Sequence, residues 1–177
     1  MKNQFIISVF SENKVGLLTK VCSVFTRRNI NIESLTVSES EIKGVHRFTV
    51  VVSVEEELVI KITKQIEKQI DVLKAFFHRN EEMVYQEIAM YKLPTSLMLT
   101  GGSVEKIIRS HQARVLAIEE DFTILEKTGH KEETQKLYDL LAPYGLLEFV
   151  RSGRIAISKP MKELKEYLAE LKIANAY

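Results

Sequence analysis

An apolar run from Phe5 to Phe10 gives way to SENKVGLLTKV, Ser11 to Val21, where Asn13 and Gly16 stand at the handover from a strand to a helix. A strand that runs into a helix N-terminus leaves several backbone N–H groups unpartnered and presents the positive end of the helix dipole. Such a terminus suits a carboxylate or a phosphate. Gly16 lacks the Cβ that would hold a ligand off those donors, whereas a glycine serving only as part of a first helical turn costs about 1 kcal/mol against alanine. The Asn13 amide can donate to a carboxylate or accept from an ammonium. Val15, Leu17 and Leu18 offer apolar wall, and Asn31 and Ile32 open the next strand after the helix returns. Together these would suit a small zwitterion with an apolar side chain. A plainer role fits the same residues: Asn13 caps the helix, and Gly16 lets helix and strand pack closely. The residues alone leave both readings open.

The elements that must position this set are short and well punctuated. Lys14 to Arg28 reads as a helix, with Leu18, Val21, Cys22 and Phe25 spaced as one stripe and Asn29 available as a left-handed cap. INIESLTV continues as a strand whose change of phase predicts a bulge or strong twist near Glu33–Ser34. Gly44 turns the chain into the strand VHRFTVVVSV. Glu55 to Gln69 forms a second helix through Leu58, Ile62 and Ile66, and DVLKAFFHR closes with a strand. The order β-α-β-β-α-β is that of the ferredoxin-like split unit.

The second half repeats this plan. MVYQEIAMYKL is a strand, Ser103 caps a helix bearing Val104, Ile107 and Ile108, and ARVLAI and FTILEKTG are neighbouring strands that turn at Glu119–Asp121. Glu132 to Ala142 is a helix with Leu137, Leu140 and Leu141 inward, stopped by Pro143 and Gly145. LLEFV, RSG and RIAIS read as a hairpin, and the tail from Met161 as a final helix with Leu164, Leu168 and Leu171 on one face. The fold class expected is α+β, two ferredoxin-like βαββαβ domains in tandem, divided as 1–80 and 81–177. Both phases of the first-half strands are apolar, so the sheet face away from the helices needs cover, and a second copy of the chain supplies it most economically.

The 177 residues suffice for two small domains, and a net charge of +1 removes the electrostatic case for nucleic acid or an anionic membrane. The single cysteine, Cys22, excludes an intrachain disulfide and fits a reducing compartment. No run approaches the roughly 18 apolar residues of a membrane span, and the N-terminus meets charge too early for a secretory signal. A cytoplasmic protein is expected.

The stretch SENKVGLLTKVCSVFTRRNINIESLTV resembles the amino-terminal ACT domain of the small, regulatory subunits of acetolactate synthase, also called acetohydroxyacid synthase. Glu12, Asn13, Gly16, Leu18, Arg27, Asn31, Ile32, Ser34, Leu35, Thr36 and Val37 match that family's pattern in order and spacing. QIEKQIDVLKAF, LEKTG and LLAPYGLLEFVRSGRIAIS are similar to its later motifs, so the likeness spans nearly the whole chain; QEIAMYKL and HQARVLAI depart from it.

The resemblance implies a non-catalytic subunit that activates a large subunit and confers feedback inhibition by valine or a related branched-chain amino acid. Thiamine diphosphate, Mg and FAD would then belong to the large-subunit partner and no cofactor to this chain. It also implies an effector site of Asn13, Gly16 and Asn31, with Val15, Leu17, Leu18 and Ile32 as neighbours, at the interface of two ACT domains in a homodimer. The first domain, 1–80, would bind effector and dimerise, while 81–177 would be the family's C-terminal domain.

Other constellations carry less. His46, His78, His111 and His130 are dispersed without metal-ligand spacing, Cys22 on the apolar stripe reads as a buried inert thiol, and GGSVEK lacks the ending of a phosphate loop. A small ferredoxin-like acyl-phosphate hydrolase is an alternative, but the first strand–helix loop has no arginine for the phosphate. An ACT-type regulator of another enzyme is a second alternative. A DNA-binding regulator is a third, opposed by the near-neutral charge and the absence of a helix-turn-helix pattern.

Overall fold

The structure is a computed structural model and describes residues 2–99 and 102–159. These fall into two compact units, cut between Val84 and Tyr85, and residues 154–159 belong with the first unit. Residues 154–159, which fall within the expected domain 81–177, group with the first unit through the hydrogen bonds given below. The tail helix from Met161 lies outside the described residues.

In the first unit, β1 (Asn3–Glu12), α1 (Leu17–Thr26), β2 (Ser34–Glu39), β3 (Val45–Val54), α2 (Glu56–Glu67) and β4 (Val72–Arg79) follow the βαββαβ order. The antiparallel sheet runs β2-β3-β1-β4, so β2 is an edge strand. Phe5, Ile7 and Val9 of β1 meet Leu17, Val21, Val24 and Phe25 of α1 and Val59, Ile62 and Ile66 of α2 in one core. This is the one-sided helix layer that a period-2 strand and two period-3.6 helices must build.

Details of α1 differ from expectation. The helix begins at Leu17, not Lys14, and its buried stripe is Leu17, Val21, Val24 and Phe25. Leu18 is 46% exposed and Cys22 half-buried, because the left-handed turn at Gly16 directs Leu17, not Leu18, into the core. Asn29 takes φ 53, the left-handed cap expected, and the Ile30 N–H donates to the Phe25 carbonyl at 3.0 Å. The bulge expected at Glu33–Ser34 is absent: Ser34 pairs with Val51 in unbroken register through Glu39 and His46. Ile30 and Ile32 lie before the strand and pack on the core from the connection, which accounts for the phase change.

The face of this sheet away from the helices carries Ile6 and Val51, both buried. Residues of the same chain lie on it. The Arg154 N–H donates to Ser34 Oγ at 2.8 Å, Thr36 Oγ1 donates to the Arg154 carbonyl at 2.9 Å, and Arg47 Nη2 donates to the Ala156 carbonyl at 2.6 Å. The need for cover is met at least in part by this returning segment rather than by a second copy alone.

The second unit repeats the plan with β5 (Met83–Pro94), α3 (Ser96–Leu99), α4 (Ser103–Ser110), β6 (Arg114–Ile118), β7 (Phe122–Gly129), α5 (Lys131–Leu141) and β8 (Glu148–Arg151), its strands ordered β6-β7-β5-β8. Tyr91, Leu93, Leu125, Leu137 and Leu141 are fully buried. Gly102, not Ser103, occupies the α4 N-cap position. Leu140 is half-buried. The hairpin expected over LLEFV, RSG and RIAIS does not form: β8 pairs with β5 at Ala89–Lys92, and β9 (Ile155–Ser158) also pairs with β5. The RSG segment thus carries the chain from one unit to the other instead of turning it back. Among the described residues no helix is long and apolar enough to cross a membrane, and no group of three or more His, Cys, Asp or Glu stands close enough to hold a metal ion.

Candidate functional site

Gly16 is the N-cap residue of α1, with φ 82 and ψ −6, and no side chain caps the helix. This left-handed conformation is open to glycine and strained for most L-residues. A Cβ built on Gly16 would meet nothing within 4 Å, so the space above the turn is open. The glycine is therefore required by the backbone of the strand–helix turn, and the plainer reading of Asn13 as a side-chain cap does not hold.

The turn is anchored on both flanks. The Asn13 N–H donates to the Gly44 carbonyl at 3.1 Å, tying the loop to the β2–β3 turn. Lys14 Nζ lies 2.8 Å from Asp71 Oδ1 and 2.8 Å from Glu12 Oε2, and Lys20 Nζ lies 3.3 Å from Asp71 Oδ2. Hydrogen bonds from Lys14 and then Lys20 hold the Asp71 carboxyl below the usual carboxylate range. Its bonds to Asp71 and Glu12 push Lys14 above the usual lysine range. Between these anchors, no acceptor among the described residues meets the N–H groups of Val15, Gly16, Leu18 and Thr19. Four donors at the positive end of a 10-residue helix therefore face open space.

Asp71 was not among the expected site residues, yet the antiparallel β1–β4 pairing brings it beside Glu12, whose N–H donates to its carbonyl at 3.0 Å. Counting back along DVLKAFFHR from that pairing would have found it. Because the folded-state pKa of Asp71 is depressed, its contribution to stability is present above about pH 4, the unfolded value. That contribution is lost as pH falls through the folded value. Asp71→Asn is expected to lower stability at pH 7 and to flatten the acid side of the profile, read by urea unfolding between pH 3 and 7.

The expected site residues divide into three groups. Asn13, Val15, Gly16 and Leu18 lie at the N-terminal end of α1 and are exposed, Val15 completely. Asn31, exposed, and Ile32, half-buried against the core, lie beyond its C-terminal end. Leu17 belongs to neither group: it is 2% exposed and its side chain fills the core, so it cannot wall a ligand. Leu17→Ala is expected to cost about 2–4 kcal/mol of stability as a cavity-forming core change, measurable by urea unfolding.

The two ends are far apart. A 10-residue helix spans about 15 Å. Ser34 stands level with Ile6 through Val51, six residues from Glu12 along β1, or about 20 Å. No single copy of the chain can bring Asn13 and Asn31 to one small ligand. Cys22, on the outer flank of α1, is half-buried, and burial pushes its thiol up, which keeps it protonated.

Comparison with known proteins agrees with this arrangement of elements. The family described as AHAS small subunit-like ACT domain matches residues 7–74, and the family described as small subunit of acetolactate synthase matches residues 86–160. The acetolactate synthase small subunit of Bacillus subtilis is 38% identical over 155 residues, covering 87% of this chain and 90% of the relative. That of Mycolicibacterium smegmatis is 35% identical, covering 86% and 89%. The crystal structure of the acetolactate synthase small subunit from Thermotoga maritima superposes with a TM-score of 0.80 at 25% identity, over 90% of this chain and 99% of that one.

Proposed function

Since the chain belongs to the family of acetolactate synthase small subunits, the ACT-type regulatory class, we propose that it activates a catalytic large subunit and makes it sensitive to valine or a related branched-chain amino acid. The effector binds where two copies meet. One copy supplies the free amides of the Gly16 turn and the Asn13 side chain; the other supplies Asn31 and Ile32.

The observation that carries this reading is the separation of the two half-sites at opposite ends of α1. A two-fold axis that sets the two α1 helices antiparallel brings the N-terminal end of one beside the C-terminal end of the other. The surface such pairing would use is available. The edge strand β2 bonds only to β3 within the sheet, Leu18 and Val37 are 46% and 37% exposed, and Val15 is fully exposed. Free amides then hold the effector carboxylate, an asparagine carbonyl accepts from its ammonium, and Val15 and Leu18 wall its side chain.

Effector binding inhibits only if it favours the paired arrangement that fails to activate the large subunit; equal affinity for both arrangements would shift nothing. The condensation of 2-oxo acids, with its thiamine diphosphate, Mg and FAD, belongs to the large subunit, and both subunits work in the cytoplasm. Co-expression with the large subunit tests the reading. The chain is expected to co-purify with it and to raise acetolactate formation, and millimolar valine, or leucine or isoleucine in its place, to reverse the rise. A chain that neither associates nor stimulates would overturn it.

A further inference from the structure

The polar side chains on the helix-free face of the first sheet have a shared occupation. Along residues 154–158, Arg154 and Ala156 point inward, 6% and 7% exposed, and Ile155 and Ile157 point outward, 54% and 69% exposed. The segment crosses the face of β2 and β3 and takes hydrogen bonds from side chains there instead of from a neighbouring backbone alone. Ser34 and Thr36 grip Arg154 on both sides of its peptide unit. The Arg154 guanidinium donates from Nη1 to Gln4 Oε1 at 3.0 Å and to Asn80 Oδ1 at 3.2 Å. Gln4 in turn donates from Nε2 to Glu33 Oε2 at 2.7 Å.

Two connections thus run from one buried residue to Glu33 and Ser34, which directly follow Asn31 and Ile32, the half-site at the C-terminal end of α1. Arg154 is also the first residue of the returning chain, covalently joined to the second unit through Gly153. A displacement of Asn31–Ser34 cannot leave Arg154 unmoved without breaking one of these hydrogen bonds, the Ser34 bond among them partly buried.

We propose that residues 154–159 form a strap, with Arg154 as its positioning residue, that conveys effector occupancy at Asn31–Ile32 to the second unit and so to the large subunit. This rests on the regulatory reading above. Arg154 touches neither effector nor reacting atoms; it holds Ser34 and, through Gln4, Glu33, the residues that follow the half-site. Effector binding and its consequence are therefore separable at Arg154 and inseparable at Asn13 or Asn31.

The test uses the holoenzyme with wild type, Arg154→Ala and Thr36→Val; the second variant removes one hydroxyl and keeps the β-branched shape that suits a strand. Both variants are expected to stimulate the large subunit without valine and to bind valine within about threefold of wild type, with the maximal inhibition cut by at least half. Arg154→Lys, which keeps one charged donor, is expected to restore part of the inhibition. In wild type, valine is expected to change amide exchange at 154–156 by more than about threefold. If Arg154→Ala fails to fold, Thr36→Val and the exchange measurement decide. Full inhibition in the folded variants, or unchanged exchange in wild type, would overturn the strap while leaving the effector site standing. A wild-type holoenzyme that neither binds valine nor responds to it would overturn the regulatory reading, and the strap with it.

Discussion

Gly16→Asp is expected to abolish feedback inhibition while the large subunit remains activated. Two effects act in the same direction. A carboxylate introduced at the N-cap can accept from the amides of Leu18 and Thr19, the donors proposed for the effector, because Asp at this position bonds to the second and third helical N–H groups. It also stands against the effector carboxylate. Two like charges about 4–5 Å apart at an effective dielectric near 20 repel by about 3–4 kcal/mol, more than 100-fold in affinity. The fold survives because nothing lies within 4 Å of the new Cβ and aspartate tolerates positive φ better than most residues. Gly16→Ala separates the two contributions: it is expected to cost about 1–2 kcal/mol through φ 82 alone and to leave the amides free. Titration calorimetry with valine, together with acetolactate assays with and without it, reads both variants. Loss of activation along with feedback in Gly16→Asp would point to misfolding.

Asn13→Ala and Asn31→Ala are each expected to weaken valine binding at least tenfold, since each removes hydrogen bonds to a charged group worth about 1.5–3 kcal/mol. The result matters because the two residues lie at opposite ends of α1 in one chain. Neither side chain takes part in the core, so both variants should unfold in urea close to wild type. Two remote residues with the same large effect on one small ligand are explained by a site shared between copies.

Much of the fold was legible because its elements are short and obey their own periods. The alternation around Phe5–Val9, the four-residue spacing of Ile62 and Ile66, and the stop at Pro143 and Gly145 each report a local requirement that the structure meets. The ends of α1 were less legible. Leu17 and Leu18 are adjacent and equally apolar, and only the left-handed turn at Gly16 decides which one faces the core. The chemistry proposed for the site, a glycine and an asparagine before a helix, is read from the sequence, but the spread of its residues over both ends of α1 is not, since distance along a helix becomes informative only when strand order is known.

The role of residues 154–158 was hidden for a different reason. RIAIS reads as half of a hairpin locally, and nothing in its period says that its partners are Ser34, Thr36 and Arg47 more than a hundred residues earlier. The half-buried Ser34 and Thr36 were the available signal, because hydroxyls withdrawn from water call for partners.

Mixed dimers give the most direct test of a site shared between two copies. Asn13→Ala and Asn31→Ala chains, each carrying a different affinity tag, are co-expressed and the doubly tagged dimer is isolated for calorimetry with valine. Each homodimer lacks one half of both sites and should bind valine at least tenfold more weakly than wild type. The mixed dimer rebuilds one site from its two unaltered halves and should bind one valine per dimer with wild-type affinity. A mixed dimer that binds as weakly as its parents, or a parent homodimer that binds as wild type does, would contradict the account.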